Sequence, residues 1–144
     1  MTDTAERKSG HCLCGAVTFS VGLRKHEVGV CHCEMCRRWT AGPFLAAACD
    51  NDVEVGEGAP LAFYQSSDWG ERGFCQACGT PLFWRTRDKS HTAVSVSALD
   101  DPGPLRFTSE IFIDEKPDYY EFANETKTMT GEQVFAYYTD KTDH

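Results

Sequence analysis

The sequence predicts a mainly β fold, one small domain organised around metal-binding loops. Short apolar or alternating stretches recur along the chain with turn residues between them, the pattern of an all-β domain. Cysteines cluster in three tight groups, C-x-C, C-x-C-x-x-C and C-x-x-C. The length of 144 residues, 41% hydrophobic and 25% charged, is enough for one modest core and leaves no sign of a long disordered region.

The elements follow in order. Met1 to Gly10 is polar and charged, so no signal peptide is expected, and residues 1–9 read as a flexible start. Cys12-Leu13-Cys14-Gly15 runs into an alternating strand, Ala16-Val17-Thr18-Phe19-Ser20-Val21. His26 to Val30 reads as a second strand, delivering Cys31-His32-Cys33-Glu34-Met35-Cys36, and Met35 to Thr40 as one short helical turn. The apolar run Pro43 to Ala48 is short and follows Gly42, which favours a buried strand over a helix. Val53-Glu54-Val55 and Leu61-Ala62-Phe63-Tyr64 flank a glycine-rich turn and read as a hairpin. Phe74-Cys75-Gln76-Ala77-Cys78-Gly79 is a metal knuckle; Leu82 to Thr86, Thr92 to Ser97 and Ile111 to Ile113 read as strands, with Pro102-Gly103-Pro104 as a turn. In the tail, 123–144, Thr130-Gly131-Glu132-Gln133 has the form of a capping box ahead of Val134, Phe135, Tyr137 and Tyr138, so a short helix is expected there.

Composition excludes some functions. A net charge of -8 with no basic run disfavours nucleic acid and anionic membranes as partners. No apolar run approaches a membrane span. The expected location is the cytoplasm, where thiols stay reduced, and cysteines one or two residues apart suit metal ligation better than bridging.

The cysteine groups divide naturally into two pairs and a triad. Cys12, Cys14, Cys75 and Cys78 would make a closed four-thiolate site, which suits structural zinc. Glycine follows the second cysteine of each pair (Gly15, Gly79) and permits the tight path that turns amides toward sulfur. The triad Cys31, Cys33 and Cys36 admits two readings. Three ligands with one position left for water or substrate is how catalytic zinc is held; a fourth ligand from His32, Cys49 or His11 would instead close a second structural site. His32 lies between two candidate ligands, so its side chain is expected to point away, and Cys49 reads as a buried thiol.

Arg37 and Arg38 follow the triad and Arg72 precedes the last pair. Each alone is most simply solvated or paired with an acidic residue. Together they are candidates for gripping substrate carboxylates, because a guanidinium fork matches a carboxylate. Trp39, Phe44, Trp69, Phe74, Phe83 and Trp84 read as core or pocket wall.

Three motifs carry a family resemblance: Gly10-His11-Cys12-Leu13-Cys14-Gly15-Ala16-Val17-Thr18-Phe19, then Cys31-His32-Cys33-Glu34-Met35-Cys36-Arg37-Arg38, then Phe74-Cys75-Gln76-Ala77-Cys78-Gly79-Thr80-Pro81-Leu82-Phe83-Trp84. In this order they resemble the glutathione-dependent formaldehyde-activating enzymes, a family that includes the centromere protein V-like proteins. The likeness spans residues 10–122 and covers all seven clustered cysteines. It implies a β-tent of antiparallel sheets. It implies two zinc ions (Zn2+), a structural one on Cys12, Cys14, Cys75 and Cys78 and a catalytic one on Cys31, Cys33 and Cys36. The family's named activity joins glutathione to formaldehyde, giving S-(hydroxymethyl)glutathione. Two positions depart from the usual pattern: Ala41 replaces a common glycine and Glu110 a common histidine.

The chemistry of the triad agrees with that activity. Zinc on three thiolates is net negative and a weaker Lewis acid than zinc on three histidines; holding an incoming thiolate deprotonated suits it better than activating water. The expected protein is a carbon–sulfur lyase in which Cys33 is the exchangeable ligand. A related enzyme with another thiol or carbonyl substrate, or a non-enzymatic zinc module that binds a protein, are the rival expectations.

Overall fold

The computed structural model describes residues 7–142, with side chains described to residue 137. The fold is mainly β, as expected: eleven strands and two α-helices among the described residues. Its contacts group the chain into two compact units that interleave in sequence, residues up to 27 with 46–106, and 28–45 with residues from 107 onward.

In the first unit, β1 (Arg7–His11), β2 (Thr18–Gly22) and β5 (Val53–Val55) form an antiparallel sheet in the order β1-β2-β5. Phe19 and Val21 of β2 are buried while Thr18 and Ser20 are not, the alternation read from the sequence. A second sheet runs β4-β9-β8-β7-β6, from β4 (Phe44–Ala48) through β9 (Thr92–Ser95), β8 (Pro81–Thr86) and β7 (Gly70–Cys75) to β6 (Leu61–Gln65). Its neighbours pair antiparallel, with Ala47 opposite Val94 and Phe83 opposite Val94. Phe19, Val21, Leu23, Leu82, Phe83 and Val94 form the core, and Phe19 meets Phe83 edge-on with centroids 5.0 Å apart. Burying each such side chain stabilises the fold by about 1.5–3 kcal/mol.

The second unit carries most of β3 (Glu27–Cys31), then α1 (Glu34–Thr40), β10 (Arg106–Ile111), β11 (Lys127–Met129) and α2 (Gly131–Thr142), with strand order β11-β10-β3. β10 and β11 are parallel, Ser109 opposite Lys127. The capping box at α2 closes in both directions: the Gln133 amide donates to Thr130 Oγ1 at 3.2 Å, and the Thr130 amide to Gln133 Oε1 at 2.8 Å. Phe112 packs edge-on against Phe135, with centroids 5.8 Å apart. Among the described residues no helix is long and apolar enough to cross a membrane.

Several local expectations need correction. Residues 7–9, read as part of a flexible start, are in β1; residues 1–6 lie outside the described residues. Val53–Val55 and Leu61–Gln65 are not a hairpin: β5 pairs with β2 and β6 with β7. The chain leaves β5 with the Gly56 amide bonded to Thr18 O at 2.8 Å, so the glycine-rich turn carries it from one sheet to another instead of folding it back. The strand expected at Ile111 to Ile113 ends at Ile111, because Phe112 is left-handed (φ 55°) and a short 3-10 turn, Ile113–Glu115, follows. Thr92 to Ser97 splits likewise into β9 and a 3-10 turn, Val96–Ala98. The helical turn after the cysteine triad starts one residue earlier than read, at Glu34.

Ala41, the residue that departs from the family's glycine, ends α1 in the left-handed region (φ 63°, ψ 27°). An alanine Cβ there costs about 1–2 kcal/mol. Glycine relieves that cost and returns about 0.5–1 kcal/mol of it through greater freedom of the unfolded chain. Ala41→Gly is therefore expected to raise stability slightly, by about 0.5–1 kcal/mol net, read as an upward shift of the urea midpoint at unchanged slope. A downward shift would mean that the methyl group makes a contact worth more than the strain.

Candidate metal centres

Cysteine sulfurs converge at two places among the described residues. Cys12, Cys14, Cys75 and Cys78 bring four ligand atoms within 4.8 Å of one another, and Cys31, Cys33 and Cys36 bring three. No disulfide joins any of the eight cysteines.

The four-cysteine site lies wholly in the first unit, built from two similar loops. After β1, the Gly15 amide turns back to Cys12 O at 3.1 Å; after β7, the Gly79 amide does the same to Cys75 O at 2.8 Å. Both glycines are left-handed, φ 83° and 85°, the tight path inferred from their place after each pair. The turns aim amides at sulfur: Val17 N–H at Cys12 Sγ (3.3 Å), and those of Ala77 and Cys78 at Cys75 Sγ (3.3 and 3.4 Å). Cys12 Sγ is 3.6 Å from Cys14 Sγ, which is 3.8 Å from Cys75 Sγ. Sulfurs at the corners of a tetrahedron about zinc, with bonds of about 2.3 Å, are about 3.8 Å apart, so this cage fits such an ion.

Proton affinities in the cage diverge. The Thr80 hydroxyl, with the amides of Thr80 and Cys14, pulls the Cys78 thiol down to about 5. Burial works against ionisation of Cys12, but the Val17 amide and the neighbouring sulfurs outweigh it and lower its pKa. Cys14 is favoured by the Ala16 amide, yet Cys12 and the other sulfurs push it up to about 11. Four sulfurs this close cannot all ionise on their own; a cation between them removes the conflict.

The triad lies wholly in the second unit. Cys31 ends β3, Cys33 caps α1 and Cys36 is in its first turn. Cys33 has extended backbone (φ -66°, ψ 157°), and its sulfur accepts from the Cys36 amide at 3.4 Å. Cys33 and Cys36 are buried, whereas Cys31 is part-exposed. The Cys33 and Cys36 sulfurs, then burial, raise the Cys31 thiol far above its usual range, the same crowding as in the cage.

The residues that could have closed the triad are engaged elsewhere. His32 is fully buried, with Nε2 2.7 Å from Glu110 Oε1 and Nδ1 2.8 Å from the Tyr120 hydroxyl, so it points away from the sulfurs as expected. His11 pairs with Asp100 at 2.6 Å. Cys49 is buried against Thr92 O at 3.4 Å, and burial pushes its thiol up to about 12, an inert core cysteine.

The three arginines have different surroundings. Arg37 Nε donates to His32 O at 2.8 Å, which holds its guanidinium beside the triad loop. Arg38 lies on the exposed side of α1, paired with Glu34 one turn back. Arg72 is 4% exposed in β7 and donates to Ser66 Oγ at 3.0 Å. The part of the network that sequence reasoning missed is Glu110 and Tyr120 as partners of His32, with Thr126 Oγ1 donating in turn to Glu110 Oε2 at 2.6 Å. The signal at hand was Glu110 itself, already noted as standing where the family commonly has histidine; it lies in β10, Arg106–Ile111.

A mainly β protein with two thiol clusters able to hold metal ions is the class these observations define. Within it, the chain belongs to the family of glutathione-dependent formaldehyde-activating enzymes, whose profile matches residues 7–115. It is 35% identical over 126 residues to an uncharacterized lyase of Schizosaccharomyces pombe, covering 87% of this chain and 92% of that one. A crystal structure of a Rhodobacter sphaeroides protein superposes with a TM-score of 0.57 at 30% identity, covering 69% of this chain and 99% of that one.

Linking Cys14 to Cys75 through a metal closes a separation of 61 residues. By the chain-entropy argument used for cross-links, such a closure is worth about 4 kcal/mol. Cys75→Ser is expected to lose one tightly bound metal equivalent and about that much stability, measured by metal analysis and urea denaturation. Cys49→Ser should keep the full metal content. An unchanged metal count in Cys75→Ser would rule out the cage as a metal site.

Proposed function

We propose that this protein is a zinc-dependent carbon–sulfur lyase that joins glutathione to a small aldehyde, in the manner of S-(hydroxymethyl)glutathione synthase. In this reading Cys12, Cys14, Cys75 and Cys78 hold a structural zinc and Cys31, Cys33 and Cys36 a catalytic one. The observation that carries it is the donor count of the second site: three sulfurs converge while His32, the residue between two of them, is bonded through both ring nitrogens to Glu110 and Tyr120. Zinc there would offer a fourth position to an incoming thiolate and keep it ionised at neutral pH.

The reaction balances without another reagent. The glutathione sulfur forms a bond to the carbonyl carbon, the C=O π bond opens, and the thiol proton ends on the carbonyl oxygen. The chain's own groups bind and orient. Arg37 is the best supported carboxylate contact of the three arginines, because His32 O fixes its Nε and leaves its outer nitrogens for a ligand. Arg38, already paired with Glu34, and Arg72, buried on Ser66, are weaker candidates. Cys33 is the sulfur best able to leave: the Cys36 amide already points at it and would stabilise the released thiolate. Thiol ligands and a thiol substrate both require a reducing compartment, which fits the cytoplasm.

Calorimetric titration of reduced glutathione into protein with two counted zinc equivalents is expected to show one saturable site. Cys33→Ser should abolish turnover and leave the four-cysteine metal in place. Arg37→Ala should weaken glutathione binding by about 10- to 100-fold, the loss of a charge-assisted contact. Because formaldehyde and thiols combine without an enzyme, binding is the decisive measurement. No heat at millimolar glutathione with both zincs present would remove glutathione as the substrate and leave another thiol, or a protein partner, to be sought.

A further inference from the structure

His32 occupies the position between two sulfur donors, and each of its polar atoms is engaged. Its amide donates to Ile111 O at 3.1 Å, its carbonyl accepts from Arg37 Nε at 2.8 Å, Nε2 meets Glu110 and Nδ1 meets Tyr120. The ring stacks on Tyr120 with centroids 5.5 Å apart and lies 6.0 Å from Phe122. The Thr126 hydroxyl donates to Glu110 Oε2; a carboxylate can only accept, so the hydrogen of the second link belongs to Nε2, and a ring with that hydrogen alone accepts at Nδ1 from the Tyr120 hydroxyl. Burial, partly opposed by Arg37, raises the Tyr120 phenol, so it keeps the proton it donates.

A buried histidine with satisfied nitrogens is ordinarily just core. Its place in the chain gives this one a further consequence. In extended backbone, successive side chains point to opposite faces. Residue 31 ends a strand and Cys33 is still extended, so Cys31 and Cys33 share the face opposite His32. Any rotation of residue 32 about the chain axis swings both sulfurs with it. Ligand directions must hold within about 10–20° for a metal site to keep its geometry.

We infer that Glu110, Tyr120 and Thr126 are positioning residues for the second metal site: by clamping His32 on the far face they set the directions of Cys31 and Cys33 without touching the metal. The inference rests on the reading of Cys31, Cys33 and Cys36 as metal ligands. Partners of this kind typically govern metal affinity by about 10- to 100-fold.

The test compares wild type with Tyr120→Phe, Glu110→Gln and Glu110→Ala as purified full-length proteins. Each is stripped, then titrated with cobalt(II) and, separately, with zinc against a chromophoric chelator. Tyr120→Phe and Glu110→Ala are expected to weaken the second equivalent by about 10- to 100-fold, to alter its cobalt visible bands and to leave the first equivalent unchanged. Glu110→Gln should stay close to wild type, since its amide oxygen can accept from Nε2–H and its amide nitrogen can donate to Thr126. If Glu110→Ala does not fold, Tyr120→Phe, which deletes one oxygen, carries the test. Lower melting temperatures with unchanged second-site affinity and cobalt spectrum would overturn the inference and make the network merely structural. So would a Glu110→Gln protein as impaired as Glu110→Ala. A wild-type protein that binds a single equivalent would overturn the reading of the second site, and this inference with it.

Discussion

Four sulfurs within 4.8 Å of one another, two pairs of them at 3.6 and 3.8 Å, are in electrostatic conflict unless something positive lies among them, and the first unit is built to bring them together. The cost of crowding appears at Cys14, whose thiol the neighbouring sulfurs push up to about 11, while the Thr80 hydroxyl and backbone amides bring Cys78 down to about 5. The chain brings them together with two turns of the same design, each with a left-handed glycine after its second cysteine and each feeding backbone amides to sulfur. One turn follows β1 and the other follows β7, so a cation here ties two strands of different sheets in the one unit. For a core of this size a cross-link of about 4 kcal/mol is a large share of the 5–15 kcal/mol by which domains are stable.

The second cluster has one sulfur fewer, a difference that in the proposed function separates a closed cage from a site with room for a ligand. Distance alone does not establish it, because a nearby imidazole or thiol could serve as fourth donor. Among the described residues, the three read as possible fourth donors have other partners: His32 faces Glu110 and Tyr120, His11 faces Asp100, and Cys49 lies in the core. The same alternation that turns His32 away turns Cys31 and Cys33 together. On the proposed reading, an open metal position and an ordered ligand loop would thus have a single cause.

What the sequence made legible follows from the range of the forces involved. Features fixed within a few residues were readable: cysteine spacing, the glycines after each pair, the alternation of β2, and the reciprocal Thr130–Gln133 cap. Features set by distant partners were not. Val53–Val55 sits next to a hairpin-like turn, yet its partner is β2, some thirty residues back, because β2 offers an unpaired edge and Gly56 bonds to Thr18. The β1 and β7 strands were missed because Arg7–His11 and Gly70–Cys75 are rich in glycine and charge, and only pairing makes them strands. The cage could be proposed from spacing, but not the buried network behind the triad, since Tyr120 and Thr126 have no local pattern at all.

Arginine chemistry shows why proximity in sequence is a poor guide to a substrate contact. Arg37 and Arg38 are neighbours on α1, one residue past the triad, and equally plausible by spacing. The helix separates them. Arg38 projects outward to Glu34 four residues back, an exposed pair worth about 0.3–0.5 kcal/mol. Arg37 turns inward, where His32 O takes its Nε and fixes the plane of the guanidinium. A fixed guanidinium has already lost the rotamer freedom that a mobile one must surrender when it binds an anion. In the proposed function that favours Arg37, rather than its more exposed neighbour, as the carboxylate anchor, and it would couple that anchor to the cysteine loop through one residue. On that reading a displacement of His32 would move the Cys31 and Cys33 sulfurs and the Arg37 guanidinium together, so the geometry that would receive a thiol and the geometry that would hold its carboxylate share one backbone unit.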